Sequence, residues 1–431
     1  MLVAFLGIFL YGLLAALPGS VLPTLERNQF LPADNDVGTF LLINAIGAVL
    51  AYLVSGPMID RLGKKFTLLT GTLLVIVSLS GFALTITEVP ASSALFLIFA
   101  CSLVLGLGAN AIVSAGHALV ADVAAGWRNA ALNLLDVCFG LGLMTLPLFV
   151  QQFQKTGGTG LVFWLLAGAG LVLVLLMTAL KFPSPAHPGS FPIGEARDLF
   201  RMPSFWLLAI ALFMYVGAEV SVGKWVVSFL ERDARLLAHS GLSTLRLQEL
   251  AQASPSSLSR FFEADPVGVA IAGYALRTLS FFALALLSGR IVSSLLLGLL
   301  KVNSLRLLTV GSAVTALGLA LAFTGSTPAT VRWGLILSGF GMGPIFPTSV
   351  GLASIMVPRI AGTAMSLTMG VGFAGLLLIP PAVGYLSAAV GSTGGDVRAG
   401  LTVVVAAAIA MLVLHLILSF REWRRFSPRS Q

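Results

Sequence analysis

Twelve stretches of this chain, each about twenty residues long, run almost without a charge, and that pattern limits the folds open to it. They lie near 1–24, 37–59, 66–86, 92–121, 130–151, 160–181, 204–230, 267–300, 305–324, 330–356, 361–388 and 398–420. Inside a bilayer there is no water to bond the backbone, so only helices and closed barrels satisfy it. Unbroken apolar runs, rather than alternating ones, select helices. Composition agrees: 57% of the 431 residues are hydrophobic and 10% charged, and the mean hydropathy is +0.99. A soluble chain would carry roughly a quarter charged residues. The chain reads as an all-α membrane protein of twelve transmembrane helices in two six-helix bundles. The first run starts at Met1 with no basic residue before Arg27, which reads as a retained helix and not as a signal peptide.

Orientation follows from the placement of Lys and Arg. With the first loop outside, the cytoplasmic loops and tail hold 14 of the 25 basic residues, against 8 outside and 3 within helices. Both termini then face the cytoplasm, and the membrane is the plasma membrane, in a bacterium the inner one. The net charge of +8 is this topological bias and calls for no nucleic-acid partner. Cys101 and Cys138 both fall within helices and suggest no disulfide framework. The sequence lacks GxxxxGK[ST], HExxH, GxSxG and any Cys/His cluster. It therefore reads as no enzyme, without cofactor or metal, and not driven directly by ATP.

A polar, Pro-rich segment at 182–203 separates the bundles 1–181 and 204–420, with a polar outer loop at 231–265 and a tail at 421–431. The halves resemble each other. GLGANAIVSAGHALV and AALNLLDVCFGLGLMTLP align with GFGMGPIFPTSVGLA and TAMSLTMGVGFAGLLLIPP at a constant offset of 233. Gly106 then meets Gly339, Gly108 meets Gly341, Ala131 meets Ala364, Gly142 meets Gly375, and Pro147 meets Pro380. Small residues at such places let helices approach closely. A parallel 6+6 repeat is the plan of a transporter that binds its solute near the midplane.

After the second run comes GPMIDRLGKK, Gly56 to Lys65. Its glycines allow tight packing and a turn, Asp60 can cap or pair, and Arg61, Lys64 and Lys65 anchor the loop inside. This resembles the signature loop of the major facilitator superfamily, in which the aspartate is thought to latch the cytoplasmic gate. The resemblance assigns Gly56, Asp60, Arg61, Gly63, Lys64 and Lys65 to that gate. YVGAEVSVGKW (215–225), GFGMGPIFPT (339–348), SGR (288–290) and AALNLLDVCFGLG (130–142) are similar to the fucose permease-like sugar transporters, which take up monosaccharides with a proton. The match departs at two places: YGLLAALPGSVLP carries no acid, and Val113 precedes His117 where the subfamily has a glutamate before an asparagine.

The ionisable side chains within the runs that read as functional candidates are His117, Asp136, Glu219, Lys224, Arg277 and Arg290. Each is a candidate because a charge in hydrocarbon costs several kcal/mol unless partnered. Counted from the ends of their runs, Glu219 and Arg277 lie about 18 and 16 Å deep, which suggests a pair, either static or exchanging for solute hydroxyls and a proton. His117 and Asp136 form a second set, either a proton site or a hydrogen-bonded pair. Trp225 either stacks on a sugar ring or anchors at the interface. Asn44 and Asn110 bond either a sugar hydroxyl or another helix. Lys224 reads as snorkelling outward and Arg290 as gate packing. Together these imply a transporter of a small polar solute, most simply a monosaccharide taken up with a proton by a monomer. The alternatives are a facilitative sugar uniporter and an exporter of small amphiphiles.

Overall fold

A computed structural model describes residues 1–27, 30–31, 34–184, 193–243, 261–262, 265–390 and 396–422. Parts of the segments 182–203 and 231–265 and of the tail (185–192, 244–260, 263–264 and 423–431) lie outside the described residues. The described residues are helical, with no strand among them. Among the described residues, eleven helices are long and apolar enough to cross a membrane. They are α2 (Asp34–Leu62), α3 (Lys64–Glu88), α4 (Ala91–Val123), α5 (Ala125–Leu146), α6 (Gly158–Ala179), α7 (Pro203–Arg232), α8 (Pro266–Gly298), α9 (Ser304–Thr324), α10 (Pro328–Met356), α11 (Ala361–Val390) and α12 (Val397–Glu422). Before them stands α1 (Leu2–Arg27), apolar over Leu2–Pro18.

Local chemistry sets the breaks. Gly63, at φ 96°, makes the turn between α2 and α3 that a side chain would strain. Gly158, at φ 70°, interrupts the helical stretch that runs from α5 into α6. Asp265 caps α8 by accepting from the Val267 and Gly268 amides, and Asn303 caps α9 through Leu305 and Arg306. Inside α10, Pro344 lacks the amide a helix needs, and the helix is broken between Met342 and Ile345.

The chain forms two compact units, Met1–Phe205 with Val350–Gly370, and Trp206–Ser349 with Val371–Gln431. In the first, α1 packs on α4 and α5, and α4 on α2 and α3. In the second, α10 packs on α8 and α9, and α9 on α12. The offset-233 glycines do equivalent work in each. A Cβ at Gly106 would strike the Asn44 carbonyl of α2, and one at Gly339 the Phe282 carbonyl of α8. Gly108 meets the Gly71 carbonyl of α3, and Gly341 the Gly311 carbonyl of α9. Gly142 meets the Phe9 carbonyl of α1, and Gly375 the Phe213 carbonyl of α7. Three pairs of helix crossings thus recur with the same residue type at the same repeat position.

Backbone-to-backbone approach at these crossings leaves no room for a side chain. Gly108→Leu and Gly341→Leu are each expected to lower the thermal unfolding midpoint in detergent, from overpacking of about 1–3 kcal/mol. Gly168→Leu, with nothing within 4 Å of its Cβ position, should leave the midpoint unchanged.

Candidate functional site

The first unit holds a connected polar cluster inside an apolar bundle. Tyr52, on α2 and 1% exposed, donates to Asn110 Oδ1 of α4 at 2.8 Å. Tyr11 of α1 donates to the same oxygen at 3.4 Å and stacks on Phe139 of α5, with centroids 5.4 Å apart. Asn110 Nδ2 returns to the Gly106 carbonyl at 2.8 Å. Tyr52 also lies within the electrostatic reach of Asp136 on α5. Asn44 is used differently: its Nδ2 donates to the Ser102 carbonyl at 3.0 Å and joins α2 to α4.

His117 and Asp136 are buried in the same unit, with side chains 1% and 3% exposed. Nδ1 of His117 lies 2.9 Å from the Val113 carbonyl, which can only accept, so Nδ1 carries a hydrogen. Nε2 lies 3.0 Å from Asp136 Oδ1. That contact needs one proton between the two atoms, either on nitrogen in an imidazolium–carboxylate pair or on oxygen in an imidazole–acid pair. Both forms are net neutral. Removing the proton would set two lone pairs against each other in a buried site, so the pair is built to hold one proton. The spacing that pairs His117 with Asp136 in the sequence corresponds to a direct contact.

In the second unit Glu219 lies one helical turn from Tyr215 on α7. Tyr215 is fully buried, and its hydroxyl faces both Glu219 and Arg290 of α8. Arg290 is 3% exposed and lies where Gly343, beside the α10 break, packs onto the Gly289–Arg290 backbone. The structure therefore brings Glu219 together with Arg290 and not with Arg277, which is exposed. Two things upset the depth count. Tyr274 donates to the Pro328 carbonyl at 2.7 Å, so α8 overhangs the start of α10 by about 12 Å before residue 274. Arg277 is only about 5 Å past that level, while Arg290 is about 24 Å past it. Glu219 is about 21 Å from Asp233 at the end of α7, at the depth of Arg290. Arg277 and Arg290 also fall on nearly opposite faces of α8.

Trp225 donates from Nε1 to the Pro380 carbonyl of α11 at 3.3 Å, and its ring lies against Gly384. Gly384 is one turn beyond Pro380, and its missing side chain lets the indole reach that carbonyl. Lys224 is exposed. Among the described residues no three His, Cys, Asp or Glu side chains gather as a metal site, and both cysteines are free.

At the α2–α3 turn, Asp60 is 3% exposed and caps the start of α11. Oδ1 accepts from the Gly362 amide at 2.9 Å, and Oδ2 accepts from the Thr363 amide at 2.8 Å and hydroxyl at 2.7 Å. An anion at a helix N-terminus satisfies orphan amides and the helix dipole together. Gly56 and Gly362 allow the approach, since a Cβ on either would collide with the opposite segment. Lys64 pairs with Asp122 at 2.9 Å. Lys65 donates to the Leu180 carbonyl beyond the end of α6 at 3.0 Å, and Arg61 is exposed. The sequence model of the Major Facilitator Superfamily matches residues 4–245. The chain belongs to the major facilitator superfamily.

Relatives and solved structures of this superfamily cover most of the chain. The glucose/mannose transporter GlcP of Bacillus subtilis is 22% identical over 389 residues, covering 88% of this chain and 85% of that one. The bypass of stop codon protein 6 of Saccharomyces cerevisiae is 26% identical over 309 residues, and the match spans 64% of this chain and 60% of the yeast protein. The fucose:proton symporter FucP of E. coli, solved as an asparagine-to-alanine variant, superposes with a TM-score of 0.74 at 16% identity over 97% of this chain and 98% of that one. The proton:xylose symporter XylE superposes with a TM-score of 0.67 at 12% identity, covering 98% of this chain and 94% of that one. As a member of this superfamily, the chain is a transporter and not an enzyme.

Some participants carry little signal in the sequence. Tyr215 and Tyr52 read as ordinary buried aromatics, although Tyr215 stands four residues before Glu219, which is the available signal. Arg398 of α12 forms a two-pronged bond to Asp233, at 2.6 and 2.9 Å. It also donates to the Phe323 and Gly325 carbonyls and lies over the Phe229 ring. No local pattern links residues 165 positions apart.

The proton count at His117 yields a contrast between two variants. Asp136→Asn supplies an amide hydrogen to Nε2 and should unfold within about 1 °C of the native chain. Asp136→Ala leaves Nε2 buried and unbonded, at about 1–3 kcal/mol, and should unfold several degrees lower. Equal midpoints for both variants would contradict the bonded geometry.

Proposed function

We propose that this transporter moves a monosaccharide inward together with one proton, by alternating access, as a monomer in the plasma membrane with both termini cytoplasmic. The observation that supports it most is the buried His117–Asp136 pair, which holds a single proton and adjoins the Asn110–Tyr52–Tyr11 network. In this reading Asp136 and His117 exchange the proton, and Asn110 and its tyrosines carry its state toward the solute. Glu219, held with Tyr215 and Arg290, offers hydroxyl-binding groups, and Trp225 offers an apolar ring face, matching the two kinds of surface a sugar presents. Asn44, which bonds the Ser102 carbonyl and joins α2 to α4, is left out. Arg277, close to the level where α10 begins, is left out. Asp60, on α11, closes the cytoplasmic side. GlcP, FucP and XylE carry sugar transport in their names, and their similarity to this chain supports the solute class.

The lack of an acid in YGLLAALPGSVLP of α1, and Val113 in α4, favour a second reading, a sugar uniporter. Proteoliposomes loaded with alkaline buffer separate the two. Symport predicts that labelled glucose, mannose or fucose enters several-fold faster under an inward proton gradient, and that a protonophore removes the gain. Asp136→Asn should still equilibrate the sugar but ignore the gradient. Glu219→Gln should lower uptake by about tenfold or more at every pH, the loss of a charge-assisted hydrogen bond. Uptake indifferent to the gradient in the native chain would establish the uniporter, and no uptake of any sugar would overturn the solute class.

A further inference from the structure

Arg277, freed from its expected partner, belongs to a different feature of the second unit. An apolar groove of about 860 Å³ runs between α8 and α10, with Leu321 of α9 contributing to it. Phe281, Leu284 and Ser288 of α8 line one wall, and Trp333, Leu337 and Phe340 of α10 the other. Trp333 is 68% exposed and Leu284 52%, so the groove opens outward. Ser288 and Thr330 are its only side chains with a hydroxyl.

Two guanidinium groups stand at one end. Arg277 precedes Phe281 by one helical turn, on the stripe that continues through Leu284 and Ser288. Arg332 of α10 lies over the Tyr274 ring at 3.7 Å and the Phe281 ring at 5.6 Å, with Nε donating to Thr278 Oγ1 at 3.3 Å. Both arginines therefore flank the same turn of α8. Neither has an acidic partner among the described residues. This turn is level with the start of α10, where a helix leaves the hydrocarbon, and Trp333 there suits the headgroup boundary. A long apolar trough that ends at the interface in two cations with no acidic partner among the described residues matches one kind of molecule: acyl chains below, a phosphate above.

We propose that the α8–α10 groove binds an anionic phospholipid, with its chains along Leu284, Leu337 and Phe340 and its phosphodiester between Arg277 and Arg332. The site is separate from the solute cluster and does not depend on the transport reading. Each basic residue near an anionic headgroup contributes about 1 kcal/mol, which sets the expected effect at about fivefold per arginine.

The test is native mass spectrometry of the full chain in detergent, titrated with dioleoyl phosphatidylglycerol or dioleoyl phosphatidylcholine. Native protein should bind its first phosphatidylglycerol about 25-fold more tightly than phosphatidylcholine. Arg277→Gln should weaken the anionic lipid about fivefold and leave phosphatidylcholine unchanged, and Arg277→Lys should restore most of the preference. Arg277 is exposed and has no hydrogen bond or ion pair among the described residues, so the variant tests binding and not stability. Leu284→Trp, which fills the trough, should weaken both lipids. Glycerol phosphate, a headgroup without chains, should not compete. Equal affinity for the two lipids in the native chain, a preference undiminished in Arg277→Gln, or competition by glycerol phosphate would each overturn the proposal.

Discussion

Helices in hydrocarbon gain nothing by hiding apolar surface from lipid, so what holds these bundles is the close approach of one backbone to another at glycine. Several of the polar groups described above are placed by those crossings. Gly106 brings α4 onto α2, and one turn further Asn110 bonds back to the Gly106 carbonyl and collects the Tyr52 hydroxyl of that same α2. Gly343 lets the broken middle of α10 lie on α8 at Arg290, the residue that faces Tyr215. Gly56 and Gly362 bring Asp60 within bonding distance of the α11 amides. Small residues thus act as spacers that determine which polar groups meet.

The second constraint is that a charge among apolar side chains must be neutralised where it stands. His117 and Asp136 do this by sharing a proton, Asp60 by taking three hydrogen bonds at a helix start, and Arg398 by bonding Asp233 and two carbonyls. These solutions differ in what they permit. Asp60 and Arg398 need nothing further to be stable. The His117–Asp136 pair is stable only while it holds its proton, so any step that takes the proton away must rearrange the bonds around it. That dependence is what a coupled transporter requires.

Much of this is legible in the sequence because it depends on patterns that are local or repeated. Apolar runs mark the helices, the offset of 233 marks matched crossings, and GPMIDRLGKK places Asp60 at its turn beside its glycine neighbour. His117 and Asp136 are legible because both lie near the same helix–helix turn, where counting residues from the loop is reliable. The Glu219–Arg277 pairing fails because α8 extends well past α10, which no run length reveals, and because depth alone ignores which face of a helix a residue occupies. Asn44 and Asn110 read alike in sequence; only their partners distinguish an interhelical bond to Ser102 from the centre of a tyrosine network. Asp233 and Arg398 sit at helix ends far apart in the chain, where composition predicts only solvated loop charge.

The central claim is that one proton, held at His117–Asp136, travels with each solute molecule. The most direct measurement is the external pH of weakly buffered proteoliposomes when sugar is added with no gradient imposed. The account predicts alkalinisation as sugar enters through the native chain, and sugar influx with no pH change through Asp136→Asn. Sugar influx through the native chain with no change in external pH would contradict it.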